Sequence, residues 1–175
     1  ETAARTTADG FLPPAFICNA THVDLIKDQI SDYSAIIVEP KGRNTGPCAM
    51  VAALHALEYG PDTLLSLSAA DHVIEKPEVF FGAIRSAASV AQACRHITFG
   101  MKPDYSSTGF GYIQQGASIT DQVFAIDSFR EKPDQATAQA YLESGTYHWN
   151  SGIFLFHPQT VIDDMLSLSP DCAGP

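Results

Sequence analysis

The sequence predicts an α/β fold, a sheet of short apolar strands flanked by helices. Three observations predict it. Apolar strand-length runs alternate with helix-length runs as far as Gly100. The runs are separated by polar turns that contain Gly and Pro. Beyond Gly100, strand-like runs follow one another with no long helix between them. The first pattern means a mostly parallel sheet with helices on both faces. The last means an antiparallel excursion that covers one side of the sheet.

The elements can be placed in order. Ala15 to Cys18 reads as a strand and Val23 to Ile30 as a helix. Ala35 to Val38 is the next strand, and Pro47 to Glu58 the next helix. Thr63 to Leu67 is a strand that leads to Asp71. Glu78 to Ala93 is a long helix, because Phe80, Phe81, Ile84, Ala87, Ala88 and Ala91 recur near helical spacing. Ile97 to Gly100, Gly111 to Gln114 and Val123 to Phe129 are strands. Thr137 to Ser144 is a short helix, Gly152 to Phe156 a buried strand, and Val161 to Leu166 a helix started near Pro158. No repeat, low-complexity tract or linker divides the chain, so residues 1–175 read as one domain.

Composition narrows the function. With 45% hydrophobic and 17% charged residues, the chain is globular and not disordered. A formal net charge of −10 argues against a nucleic-acid backbone as partner, since phosphate neutralisation needs a basic face. No apolar run approaches the roughly 20 residues of a membrane span, and no secretory pattern opens the chain. Cys18, Cys48, Cys94 and Cys172 lie far apart, which speaks against a zinc knuckle and a disulfide framework. Reduced thiols in a cytoplasmic protein are expected. The chain starts at Glu1, not at Met, and stops at Pro175 just after a helix-like run, so it reads as a partial sequence.

Four loops carry groups suited to a nucleotide or a sugar phosphate, and a fifth, glycine-rich one lies among them. Glu39-Pro40-Lys41-Gly42-Arg43-Asn44-Thr45-Gly46-Pro47-Cys48 joins a strand to a helix. Arg43 offers a planar fork of donors, Asn44 an amide and Thr45 a hydroxyl, while Gly42 admits close backbone approach. An ordinary connecting loop with a helix cap explains this segment equally well. Asp71-His72 follows a strand end, where ligands of open α/β sheets bind. A carboxylate there can hold Mg²⁺ against phosphate oxygens, or it can cap the next turn. Thr108-Gly109-Phe110-Gly111-Tyr112 is either a close approach to a ligand or a hairpin turn. Glu131-Lys132-Pro133-Asp134 pairs a carboxylate for sugar hydroxyls with an ammonium for phosphate, and Asp134 also suits a helix N-cap. Trp149-Asn150-Ser151-Gly152 offers a ring and an amide to a sugar, or a core Trp with a turn Asn. There is no P-loop, no Gly-x-Gly-x-x-Gly and no Gly-x-Ser-x-Gly element.

In order, EPKGRNTGPC, AADHVI, TFGMKPDYSSTGFGYI and FREKPDQATAQAYLESGTYHWNSGIFLF resemble the nucleotidyltransferase region of bacterial mannose-1-phosphate guanylyltransferases, including the bifunctional isomerase/guanylyltransferase type. The resemblance runs from about Pro13 onward. It implies the nucleotide-diphospho-sugar transferase fold, a Rossmann-like mixed sheet flanked by helices, here incomplete. It implies attack of mannose 1-phosphate on the α-phosphorus of GTP with Mg²⁺ as cofactor, giving GDP-mannose and pyrophosphate for polysaccharide biosynthesis. By resemblance Asp71 is the metal ligand, and Asp71 and Lys132 are the catalytic pair. Glu39, Gly42, Arg43, Asn44 and Thr45 lie on the nucleotide side. Gly111, Glu131, Lys132 and Asn150 contact the sugar phosphate.

The departures are specific. Gly46 and Cys48 stand where the family usually has Ala, Ala69 where it has Pro, and Phe110 where it has Tyr. The family's opening Gly-rich loop, with Thr-Arg-Leu-Trp-Pro, has no counterpart here. The chain also ends before the family's second metal-binding Asp. The expectation is that this polypeptide alone turns over poorly. Two other functions stay open: a hexose-1-phosphate nucleotidyltransferase that uses another base, and a non-catalytic sugar-nucleotide binding module. A homo-oligomer is left open as well.

Overall fold

A computed structural model describes residues 10–42 and 44–169. Its elements are β1 (Ala15–Asn19), α1 (Val23–Gln29), β2 (Ala35–Glu39), α2 (Thr45–Ala56), β3 (Leu65–Leu67) and α3 (Pro77–Gln92). There follow β4 (Ile97–Met101), β5 (Tyr112–Ser118), β6 (Phe124–Arg130), α4 (Gln135–Ser144), β7 (Tyr147–Phe156) and α5 (Pro158–Leu168). Each helix and strand read from the sequence is present, with shifts at the ends.

The pairing corrects the mostly parallel sheet. Among the described residues, only β1 and β2 form a parallel ladder. The larger sheet has the order β3-β7-β5-β6, with β4 also on β7, and every ladder in it is antiparallel. β3 and β4 still run in the same direction, as a strand–helix–strand crossover through α3 requires. They are not neighbours, because β7 runs antiparallel between them. Leu155 of β7 pairs with Ser66 on one side and with Ile97 on the other. The late strand thus fills the gap that the crossover skips.

β7 also explains how both sheet faces are covered. Leu155 points to one face and packs with Ile84, Ala87, Val90 and Ala91 of α3. Phe154 and Phe156 point to the other, against Ala49 and Ala53 of α2 and Val161 and Ile162 of α5. The period-2 alternation of a strand sends successive residues to opposite cores. The small residues Ala49, Ala52, Ala53 and Ala56 let α2 approach closely.

End shifts have local causes. β3 begins at Leu65, two residues later than the sequence suggests, because Thr63 is still donating back to Gly60 in a turn. β7 begins at Tyr147, five residues earlier than expected. Its first residues are polar and lack apolar alternation, but their backbone pairs with Tyr112, Ile113 and Gln114 of β5. α4 starts at Gln135 because Asp134 accepts from the Thr137 N–H at 2.8 Å, as an N-cap should.

Candidate functional site

β4, β5, β6 and β7 bring Gly111, Glu131 and Asn150 together. Tyr112 opens β5 and pairs both with Arg130 at the end of β6 and with Trp149 in β7. The residues flanking those pairs therefore meet. The Asn150 N–H donates to the Gly111 carbonyl at 2.8 Å. A Cβ on Gly111 would stand 2.8 Å from Glu131 Oε2 and 3.0 Å from Phe129 Cζ. Only glycine leaves Glu131 in this place. Lys132 follows, with its ammonium 3.5 Å from Glu131 Oε1 and both side chains largely exposed.

The loop before Gly111 is held by its own residues. Tyr112 is fully buried, and its hydroxyl accepts from the Ser107 N–H at 3.0 Å and donates to the Ser107 carbonyl at 2.9 Å. Trp149 packs between Tyr105 and Phe110, at ring distances of 4.8 and 5.0 Å. Its indole N–H is buried and has no hydrogen-bond partner among the described residues. Trp149 is half-buried, and its ring meets two exposed aromatics at tilted to edge-on angles.

Asn150 sits on a bulge. From Thr98 to Gly100 β4 advances two residues, while its partners on β7 advance from Phe154 to Asn150. The surplus residues of β7 include Gly152, whose φ of +70° suits glycine. Thr98, which no sequence signal singled out, donates to Asn150 Oδ1 at 2.6 Å. The Asp71-His72 loop lies beside this bulge, with His72 Cε1 at 4.0 Å from a Cβ built on Gly152. Asp71 is exposed, and among the described residues its carboxylate makes no ion pair.

A second group is built on the loop from β2 to α2. Glu39 ends β2 and is half-buried, and Gly42, Asn44 and Thr45 are exposed. Arg43 lies outside the described residues. Asn44 holds φ +62° and ψ −165° and makes no side-chain cap bond to α2. This is backbone that glycine adopts and other residues avoid. Among the described residues, Asn44, Cys94 and Lys132 are the non-glycines at positive φ, and two of these three fall on the predicted ligand residues. Cys48, in the first turns of α2, has its thiol pKa raised by burial and then by the nearby Glu39 carboxylate.

Among the described residues no group of three or more His, Cys, Asp or Glu gathers into a metal cage. Mg²⁺ does not need one, because it binds through one or two carboxylates with waters and phosphate oxygens. An exposed Asp71, next to the His72 that lies against Gly152 of the β7 bulge, fits that donor set.

A parallel β1-β2 pair and a five-stranded antiparallel sheet, flanked by helices, with polar loops at the ends of β2, β3, β6 and β7, define an α/β domain of the two-faced kind. The chain belongs to the nucleotidyl transferase family, whose model matches residues 1–171. Within that family it resembles particular proteins more narrowly. It is 40% identical to the mannose-1-phosphate guanylyltransferase of Klebsiella pneumoniae over 98% of this chain and 38% of that protein. It is 42% identical to the xanthan biosynthesis protein XanB of Xanthomonas campestris pv. campestris strain B100, over 91% of this chain and 35% of that one. The crystal structure of the mannose-1-phosphate geranyltransferase from Thermus thermophilus matches with TM-score 0.87 at 25% identity, over 98% of this chain and 50% of that one. The chain thus spans little more than a third of the length of these curated relatives.

Proposed function

We propose that this domain takes part in nucleotidyl transfer from GTP to mannose 1-phosphate, giving GDP-mannose and pyrophosphate. The observation that carries the reading is the convergence of Gly111, Glu131 and Asn150 on one point of the sheet, in a chain 40% identical to a mannose-1-phosphate guanylyltransferase. A phosphate oxygen of the sugar phosphate attacks the α-phosphorus of GTP. The bond from that phosphorus to the β-phosphate bridge oxygen breaks, and pyrophosphate leaves. The sugar phosphate is already an anion at neutral pH, so no protein base is required. Catalysis then rests on positioning and on neutralising charge.

Each residue has a role that its chemistry allows. Glu131 accepts from sugar hydroxyls, Asn150 donates from its amide, and Gly111 lets the ligand approach the backbone. Lys132 meets phosphate as a point charge, exchanging its contact with Glu131 for the ligand. Glu39, Gly42, Arg43, Asn44 and Thr45 form the nucleotide side. Asp71 would hold Mg²⁺, which neutralises phosphate charge when bound.

The base and the sugar distinguish this reading from its neighbours. Protein made from the complete coding sequence is offered GTP, UTP and dTTP, each with mannose 1-phosphate or glucose 1-phosphate. GTP with mannose 1-phosphate should give the highest kcat/KM. Preference for UTP or dTTP would reassign the domain to another hexose-1-phosphate nucleotidyltransferase. Binding of the nucleotide sugar with no transfer under any pairing would make it a binding module.

A further inference from the structure

The β7 bulge that carries Asn150 is fastened from outside β7. Thr98 Oγ1 lies 2.6 Å from Asn150 Oδ1 and 3.3 Å from the Ile153 carbonyl. One hydroxyl on β4 therefore reaches both ends of the bulge. The Gly152 N–H also meets Asn150 Oδ1, at 3.4 Å. A backbone N–H is only a donor, so the atom it meets is the carboxamide oxygen. The Thr98 hydroxyl then donates to that same oxygen. With the oxygen engaged twice on the protein side, the two amide N–H groups are what Asn150 can present to a ligand.

We propose that Thr98 is a positioning residue for Asn150, and that its hydroxyl sets the direction in which the Asn150 amide meets the sugar phosphate. This rests on the reading of Asn150 as a sugar-phosphate contact. The hydrogen bond is half-buried and short, and Val in its place would keep the shape of the side chain but leave Oδ1 short of a donor. The carboxamide oxygen is then held only by the longer contact from the Gly152 N–H, at 3.4 Å. An amide that must be aimed costs affinity when its restraint is lost, but it does not change the chemistry at phosphorus. Ser keeps the hydroxyl and loses only a methyl group.

The test uses protein from the complete coding sequence and the variants Thr98→Val, Thr98→Ala and Thr98→Ser. Thr98→Val and Thr98→Ala should raise KM for mannose 1-phosphate roughly tenfold, with kcat and the KM for GTP within about twofold of the parent. Thr98→Ser should restore the parent value. In an Asn150→Ala background, Thr98→Val should add less than about twofold, since the group it positions is gone. An unchanged KM for mannose 1-phosphate, equal losses for both substrates, or full additivity with Asn150→Ala would overturn the role. A purely structural loss would move both KM values and would not be rescued by Ser. If the parent protein makes no GDP-mannose, the functional reading has failed, and the side-chain amide resonances of Asn150 decide the hydrogen bond alone. They should move in Thr98→Val and stay in Thr98→Ser. No movement in Thr98→Val would remove the contact itself.

Discussion

Asn44 is held where glycine belongs, and replacing it should separate stability from nucleotide binding. Its φ of +62° with ψ near −165° lies outside the left-handed helical well that asparagine tolerates. Backbone of this kind costs on the order of 1–3 kcal/mol. Its side chain caps nothing, so Asn44→Gly sacrifices no helix bond. Glycine brings a more flexible unfolded chain, which offsets about 0.5–1 kcal/mol of the relief. The net gain is then about 1 kcal/mol, or about 2–4 °C in Tm for a domain of this size. If the Asn44 amide meets the nucleotide, GTP affinity should fall several-fold in the same variant. Thermal unfolding and GTP titration on one preparation measure both. A variant less stable than the parent would refute the strain argument. A more stable variant with unchanged GTP affinity would keep the strain and remove Asn44 from the nucleotide site.

Three further outcomes are expected. Gly111→Ala should raise KM for mannose 1-phosphate roughly tenfold while costing only about 1 kcal/mol in stability, because the Cβ displaces the exposed end of Glu131. Kinetics and denaturation on the same variant check both. Asp134 has its carboxyl pKa lowered, chiefly by the Thr137 N–H that it caps. Its contribution is therefore present above about pH 4 and is lost as the pH falls through the depressed folded value. Asp134→Asn should remove this part of the pH dependence of Tm, and Asp134→Ala should also lower Tm at neutral pH. Cys94 is exposed, while burial and Glu39 keep Cys48 protonated, so iodoacetamide at neutral pH should label Cys94 well before Cys48 in a peptide map.

The fold was legible wherever a segment was apolar and periodic. α3 repeats its core residues near helical spacing, and the structure buries Phe81, Ile84, Ala87 and Ala91 of that set. β7 shows where this kind of reading stops. Its apolar half was evident, but its polar half is strand only because β5 supplies backbone partners, and its place between β3 and β4 is a matter of topology. The site divides in the same way. Side-chain chemistry left the loops of Gly111, Glu131 and Asn150 open to structural or ligand roles, the resemblance assigned them to the sugar phosphate, and the ladders place them side by side. Thr98 opens the TFGMKPDYSSTGFGYI segment but received no role, since a threonine in a strand is unremarked until its hydroxyl is seen on Asn150. Arg43 lies outside the described residues, and its role rests on chemistry and resemblance.

The most direct measurement is pyrophosphate release by protein from the complete coding sequence, mixed with GTP, Mg²⁺ and mannose 1-phosphate. Release should require mannose 1-phosphate, match the GDP-mannose formed one for one, and collapse in Asp71→Asn. Pyrophosphate release independent of mannose 1-phosphate, or full activity with normal metal dependence in Asp71→Asn, would contradict the proposed transfer.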